Sequence, residues 1–173
     1  MVDLRLAGTP LEHILGRAEF CGLHIRVDPG VFVPRRRTQF PARQAISLAR
    51  RDATAVELGC GSGAVATAMG SARSHILLYA ADIDPAAVRC ARVNLAGARA
   101  SVFQGDLYDP LPASLRGRVD LLLANAPYVP TVAIGTMPTE ARVHEPTVAL
   151  DAGIDGLEVQ RRIAVVKFFG ATG

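Results

Sequence analysis

The chain has 173 residues, half of them hydrophobic, and a formal net charge of +3. That length supports one core and makes one domain the default; no apolar run is long enough to span a bilayer, and no N-terminal signal core is present. The basic excess is small and almost wholly arginine, with Lys167 the sole lysine, no Trp and few aromatics to stack bases, so a nucleic-acid partner is not expected.

Met1 to Thr9 carries no pattern and is expected to fray. Pro10 to Gly16 spells a short helical turn stopped by glycine. From Glu19 to Val27 the chain alternates, with Leu23, Ile25 and Val27 on one side, which predicts a strand. Asp28-Pro29-Gly30 predicts a turn and Val31-Phe32-Val33 a second strand, so a β-hairpin should precede the main domain. Pro34 ends it. Arg35-Arg36-Arg37 follows, read either as a solvated loop or as a contact for an anionic ligand. Thr38 is placed to cap a helix from Gln39 to Arg50, with Ala45, Ile46, Leu48 and Ala49 on its apolar side.

Thr54 to Leu58 then reads as a buried parallel strand. It runs straight into Gly59-Cys60-Gly61-Ser62-Gly63, and Ala64 to Met69 is compatible with a helix. Strand, glycine-rich turn and helix bring backbone N–H groups and a helix N-terminus against a bound nucleotide. Ile76 to Ala81 is the next strand, ending at Asp82-Ile83-Asp84-Pro85, and Pro85 suits the first turn of a helix to about Ala96. Ala100 to Gln104 is a third strand, closed by Gly105-Asp106. Val119 to Ala124 is a fourth, closed by Asn125-Ala126-Pro127-Tyr128. A helix is predicted from Leu157 to about Phe169. Strands alternating with helices argue for a right-handed parallel α/β sheet. Cys21, Cys60 and Cys90 are odd in number and lack zinc or redox spacing, so free thiols in a reducing, cytoplasmic compartment are expected.

Polar residues recur at the C-terminal ends of all four strands, where open α/β sheets bind ligands. Asp82, about 20 residues beyond the glycine loop, stands where a carboxylate accepts hydrogen bonds from ribose hydroxyls, and Asp84 is left to cap the next helix. Asp106 either accepts from an adenine amine or serves a Gly-Asp turn. Asn125 offers a carbonyl acceptor and a two-hydrogen donor, the complement of a planar amide or aromatic amine. It can orient such a nitrogen for attack, beside the stiff Pro127 and the flat Tyr128 ring; alternatively the stretch is a plain strand-to-loop turn.

These pieces resemble, in order, the S-adenosylmethionine-dependent methyltransferases of the HemK/PrmC type, which methylate a glutamine side-chain amide in peptide-chain release factors. Pro10 to Gly16 with Glu19-Phe20, Val33-Pro34-Arg35 with Thr38, Glu57 to Gly63, Asp82, Asp106-Leu107, Asn125 to Tyr128, His144-Glu145-Pro146, Leu150-Asp151 and Asp155-Gly156-Leu157 all look like family segments. The resemblance implies an α/β, Rossmann-like class I methyltransferase fold, with residues 1–37 a hairpin-bearing segment and 38–173 the S-adenosyl-L-methionine domain. It implies cofactor contacts at Gly59, Cys60, Gly61, Ser62, Gly63, Asp82, Asp106, Leu107 and Asn125. Catalysis falls to Asn125, Pro127 and Tyr128, substrate contact to Asn125, Ala126, Pro127 and Tyr128, and no metal is required. The sequence departs from the family at Ala126, which replaces a proline, and at Arg36 and Gln39, where Pro and Glu are usual. It also lacks the family's N-terminal recognition domain, and the family continues beyond this C-terminus with further strands. The expectation is therefore a truncated domain whose fourth strand is a sheet edge open to self-association. An adenine-amine methyltransferase acting on DNA or RNA, and a non-catalytic remnant, are the alternatives.

Overall fold

Two sheets of unequal size organise residues 1–164, which the computed structural model describes. Two short helices, α1 (Val2–Leu6) and α2 (Leu11–Leu15), lead into an antiparallel pair, β1 (Arg17–Phe20) and β2 (Leu23–Arg26). Helix α3 (Gln39–Leu48) follows. Then strand and helix alternate through β3 (Thr54–Leu58), α4 (Ala64–Ala72), β4 (Leu77–Asp82), α5 (Pro85–Asn94), β5 (Ala100–Gln104) and β6 (Leu121–Ala124). Beyond β6 lie α6 (Thr139–His144) and α7 (Glu158–Ala164).

The larger sheet is parallel, in the order β5-β4-β3-β6. The chain steps outward from β3 through β4 to β5, then returns to place β6 on the other side of β3. That reversal opens a crevice at the C-terminal ends of β3 and β6, where doubly wound sheets take their ligands. Strand β3 is buried from Ala55 to Leu58 because both its faces are covered. Ala55 packs with Val65, Met69, Leu78 and Ala91 on one side, and Val56 and Leu58 pack with Ala81, Leu111, Leu115 and Val119 on the other. Phe20 and Ile25 of the hairpin join the first of these clusters, so the small sheet is seated on the same core as the large one.

The hairpin is not where the sequence pattern put it. It turns at Cys21-Gly22, with φ of 50° and 78°, and pairs Phe20 with Leu23. Positive φ at both central residues is the tight-turn geometry that matches strand twist. Val31 to Val33 forms no strand: Val31 and Val33 are buried as an extended loop, and the Asp28-Pro29-Gly30 turn leads into that loop rather than joining two strands. Three smaller expectations also change. Residues 2–6 are helical though fully exposed. Thr38 stands at the N-cap position of α3 as expected but ends a 3-10 turn, Arg36–Thr38, and makes no side-chain cap bond. Helix α3 ends at Leu48 rather than Arg50, and it buries Ala42 and Ala45 while Leu48 points outward at 66% exposure. The part of the last predicted helix beyond Ala164 lies outside the described residues. Asp84 caps α5 as expected, accepting the Ala86 N–H at 2.8 Å. Cys21, Cys60 and Cys90 are free thiols. Among the described residues β6 is hydrogen-bonded to β3 alone, at the sheet edge the pattern assigned to it.

Candidate active site

The glycine loop is built by close approach. Gly61 has φ of 54° and Gly63 has φ of 73°, in the left-handed region that side chains disfavour. A Cβ at Gly63 would lie 3.0 Å from the Ala91 Cβ, so the glycine lets α4 start hard against α5. The loop is pinned to the neighbouring strand by two contacts. The Cys60 N–H donates to the Ala81 carbonyl at 3.1 Å, and the Gly61 N–H donates to Asp82 Oδ2 at 2.7 Å. The other Asp82 oxygen accepts from the Asp84 N–H at 2.9 Å. Each oxygen keeps a lone pair for a further donor. Burial pushes the Asp82 carboxyl up, and the Asp84 and Gly61 N–H groups pull it back.

Beneath the loop sits Glu57, whose Oε2 accepts the Ala66 N–H at 2.9 Å. Desolvation pushes its carboxyl up to about 8, against the pull of that hydrogen bond, and the charge of nearby Asp82 adds to the rise. Cys60 is likewise buried, and its thiol is pushed up chiefly by desolvation. It is therefore held as a thiol and not a nucleophile.

At the end of β5, Asp106 is ion-paired with Arg162 of α7 at 2.6 Å, and Leu107 takes a positive φ of 46°. At the end of β6, Asn125 and Tyr128 are exposed and Ala126 and Pro127 partly buried. The Pro127 carbonyl accepts Gln160 Nε2 at 2.6 Å. Arg37 stacks on the Tyr128 ring, 5.0 Å from its centroid, and donates to the Tyr128 hydroxyl. The arginine run is thus not a uniform basic patch: Arg35 is ion-paired with Glu145 at 2.6 Å and Arg37 is laid on Tyr128.

Gly59, Cys60, Gly61, Ser62, Asp82, Asp106, Leu107, Asn125 and Pro127 line one cleft across the strand ends. Gly63 and Ala126 do not line it, and Tyr128 faces a second, apolar groove between α3 and β6 instead. Glu57 and Asn125 border both spaces. The cleft also takes Pro34 and Pro146, from segments that the resemblance named, and Phe32, Val148 and Arg162, which were not singled out for the site. Carboxylates outnumber basic groups on its walls, where Asp82, Asp84, Asp106 and Asp151 face Arg162 and Glu57 keeps its proton through burial. Such a wall favours a ligand with cationic centres and sugar hydroxyls. This is the character of S-adenosyl-L-methionine, which the donor set therefore fits.

Comparison with known proteins gives the family. The sequence model of the methyltransferase small domain matches residues 22–153. The chain belongs to the methyltransferase small domain family. This methyltransferase domain is 37% identical over 165 residues to a Geobacter sulfurreducens protein named release factor glutamine methyltransferase, covering 94% of this chain and 57% of that one. A Streptomyces coelicolor protein of the same name is 38% identical, with 93% and 58% covered. A Streptomyces pristinaespiralis relative, also 38% identical and covering 92% and 56%, is named a 4-amino-L-phenylalanine/4-methylamino-L-phenylalanine methyltransferase. The chain spans little more than half the length of these relatives. Among solved structures, Trm5b from Pyrococcus abyssi superposes with a TM-score of 0.51 at 15% identity, over 69% of this chain and 34% of that one, a likeness of fold. The parallel sheet with flanking helices is a Rossmann-like class I methyltransferase fold. No helix among the described residues is long and apolar enough to cross a membrane.

Proposed function

We propose that the cleft binds S-adenosyl-L-methionine and that the chain transfers the methyl to the side-chain amide of a glutamine in a protein, with a peptide-chain release factor as the substrate. The observation that carries this reading is the convergence of the glycine loop, Asp82 and Asn125 on one cleft at the β3/β6 reversal. The names of the relatives support the choice of acceptor.

In this reading Asp82 uses its remaining lone pairs for ribose hydroxyls. Asp106, already partnered by Arg162, and Leu107 border the base, while Gly59 to Gly63 flank the methionine end. The cofactor supplies an electrophilic methyl on a sulfonium. Asn125 accepts a hydrogen from the acceptor nitrogen through its side-chain carbonyl and aims the lone pair along the cleft. Pro127 keeps the loop stiff, and Tyr128, which faces the neighbouring groove under Arg37, flanks the acceptor from that side. Asn125 would hold the acceptor nitrogen in line with the methyl that the bound cofactor would supply, its sulfur leaving as a thioether, and the nitrogen would shed its proton to water. Residues 1–37 contribute Phe20, Phe32 and Pro34 to the walls, and the remaining walls come from the domain beginning at 38.

A second acceptor class is favoured by one observation: the Streptomyces pristinaespiralis relative is named for an aryl amine on a free amino acid. An aryl amine, like an amide, is a planar nitrogen that Asn125 can grip. Incubation of the chain with methyl-labelled cofactor and, separately, release factor, 4-amino-L-phenylalanine and an adenine-containing oligonucleotide tests the assignment. Label in release factor alone supports the leading reading; label in either of the others replaces it.

We further propose that the chain, as it stands, associates through β6, whose outer edge is unpaired among the described residues and whose leucines are half-buried. Light scattering should give a mass that rises with concentration. A concentration-independent monomer with a sharp, high melting transition would refute it.

A further inference from the structure

The loops that flank the open side of the cleft come from opposite ends of the chain, and one buried carboxylate joins them. Glu145 follows α6, with its side chain 1% exposed. Its Oε2 accepts from Arg35 Nη2 at 2.6 Å, and its Oε1 accepts the Val33 N–H at 3.2 Å, across 110 and 112 positions of sequence. Arg35 in turn lies over the Phe32 ring, 4.9 Å from its centroid. Phe32 and Pro34 line the cleft, and so do Pro146, Val148 and Ala149, which follow directly after Glu145. A Cβ at Gly61 would sit 4.0 Å from the Phe32 Cβ, so Phe32 leans on the glycine loop itself. On the far side of the same segment, His13 Nε2 lies 2.8 Å from the Val31 carbonyl oxygen. An outer link, Arg5 to Glu140 at 3.0 Å, joins the same two regions but is half exposed and screened by water.

We propose that the Arg35–Glu145 pair is a clasp that holds Phe32 and Pro34 against the glycine-loop end of the cleft, which makes Glu145 a positioning residue for the methionine end of the cofactor. The inference rests on the reading that the cleft binds S-adenosyl-L-methionine. Three observations carry it. Glu145 spends one oxygen on each of two neighbouring residues of the front loop, so it fixes that loop's orientation as well as its distance. The chain enters the cleft wall at the very next residue, Pro146, so a shift of Glu145 moves that wall. And a carboxylate this buried has no alternative partner in water: burial pushes it up, with Arg35 and the Val33 N–H holding it down. Removing Arg35 would leave the buried carboxylate uncompensated, which destabilises this arrangement of the two segments.

The clasp acts at one end of the cleft, and that sets its signature. Phe32 adjoins Gly61, whereas ribose and base would meet Asp82, Asp106 and Leu107. The test is calorimetric titration of the parent, Glu145→Gln, Arg35→Met and the double variant, each with S-adenosylhomocysteine and with adenosine. Gln at 145 keeps an acceptor for the Val33 N–H, removes the charge and turns an NH2 donor toward Arg35 in place of the second acceptor. Each single change should weaken S-adenosylhomocysteine about tenfold, the double change should add little more, and adenosine affinity should stay within about twofold of the parent. Arg35→Lys, which keeps the charge without the fork, should recover part of the loss. If Glu145→Gln does not fold, Arg35→Lys and Arg35→Met carry the same comparison. Unchanged S-adenosylhomocysteine affinity in the single variants, or equal losses for both ligands, would overturn the clasp. A parent that does not bind S-adenosylhomocysteine would overturn the cofactor reading and the clasp with it, so the two failures are distinct.

Discussion

At the glycine-loop end of the cleft, Glu57 and Ser62 are buried, both Asp82 oxygens are held by backbone N–H groups, and the loop is stitched to β4. At the other end, Asn125 and Tyr128 are exposed, on the loop that leaves a strand with a neighbour on one side only among the described residues. The acceptor loop is steadied there from the side, by Gln160 on the Pro127 carbonyl and Arg37 on the Tyr128 ring. The two ends suit different tasks. In the proposed reading a small cofactor would be gripped by pre-set backbone geometry that needs no adjustment. A bulky acceptor needs an open approach, and its alignment rests on a few side chains. Changes at the first end should therefore move cofactor affinity and stability, and changes at the second should move turnover.

The largest expected effect lies at the acceptor end. Asn125→Ala should lower methyl transfer about a thousandfold, as loss of a group that orients and polarises the reacting atom does, while S-adenosylhomocysteine affinity stays near that of the parent. Undiminished turnover would place acceptor alignment elsewhere.

Next comes the buried end, through pH. The Glu57 carboxyl, pushed up to about 8 from an ordinary 4.5, holds its proton more tightly folded than unfolded. Its stabilising contribution is fully present below the unfolded value and is lost as pH rises through the folded one. Asp82 and Glu145 are shifted in the same direction, so the parent should grow less stable from mildly acidic to mildly alkaline pH. Glu57→Gln keeps an acceptor for the Ala66 N–H and should remove its share of that slope, about 2–3 kcal/mol across the window. Thermal melts of both proteins across that range decide; parallel curves would mean that Glu57 ionises without penalty.

Asp82→Ala should weaken S-adenosylhomocysteine by about 1–3 kcal/mol, the range for hydrogen bonds to a charged group, and should also loosen the Gly61 N–H that Asp82 now holds. Equal affinity for variant and parent would reject the ribose role. The smallest effect is expected at Gln160→Ala. Slackening the Pro127 loop should reduce turnover by about tenfold or less with cofactor affinity unchanged, and a fall in affinity instead would erase the division between the two ends.

The parts legible in the sequence were those with local signals. Strands β3 and β5 stand where short apolar runs meet Gly59 and Gly105, and α5 begins at Pro85 behind its Asp84 cap. The hairpin was misplaced because Asp28-Pro29-Gly30 is a stronger turn signal than Cys21-Gly22, yet the tight turn formed at the weaker one, where Phe20 and Ile25 reach the common core. The roles of Arg35, Gln160 and Arg162 had no local signal at all. Their partners Glu145, Pro127 and Asp106 lie 110, 33 and 56 positions away, and no periodicity encodes a contact of that range.

Calorimetric titration of the 173-residue chain with S-adenosylhomocysteine tests the account most directly, because every role assigned here depends on the cleft holding that nucleoside. Saturable binding with a stoichiometry of one per chain, weakened by Asp82→Ala and indifferent to Asn125→Ala, is the result the account predicts. Absence of binding by a folded parent chain would contradict it.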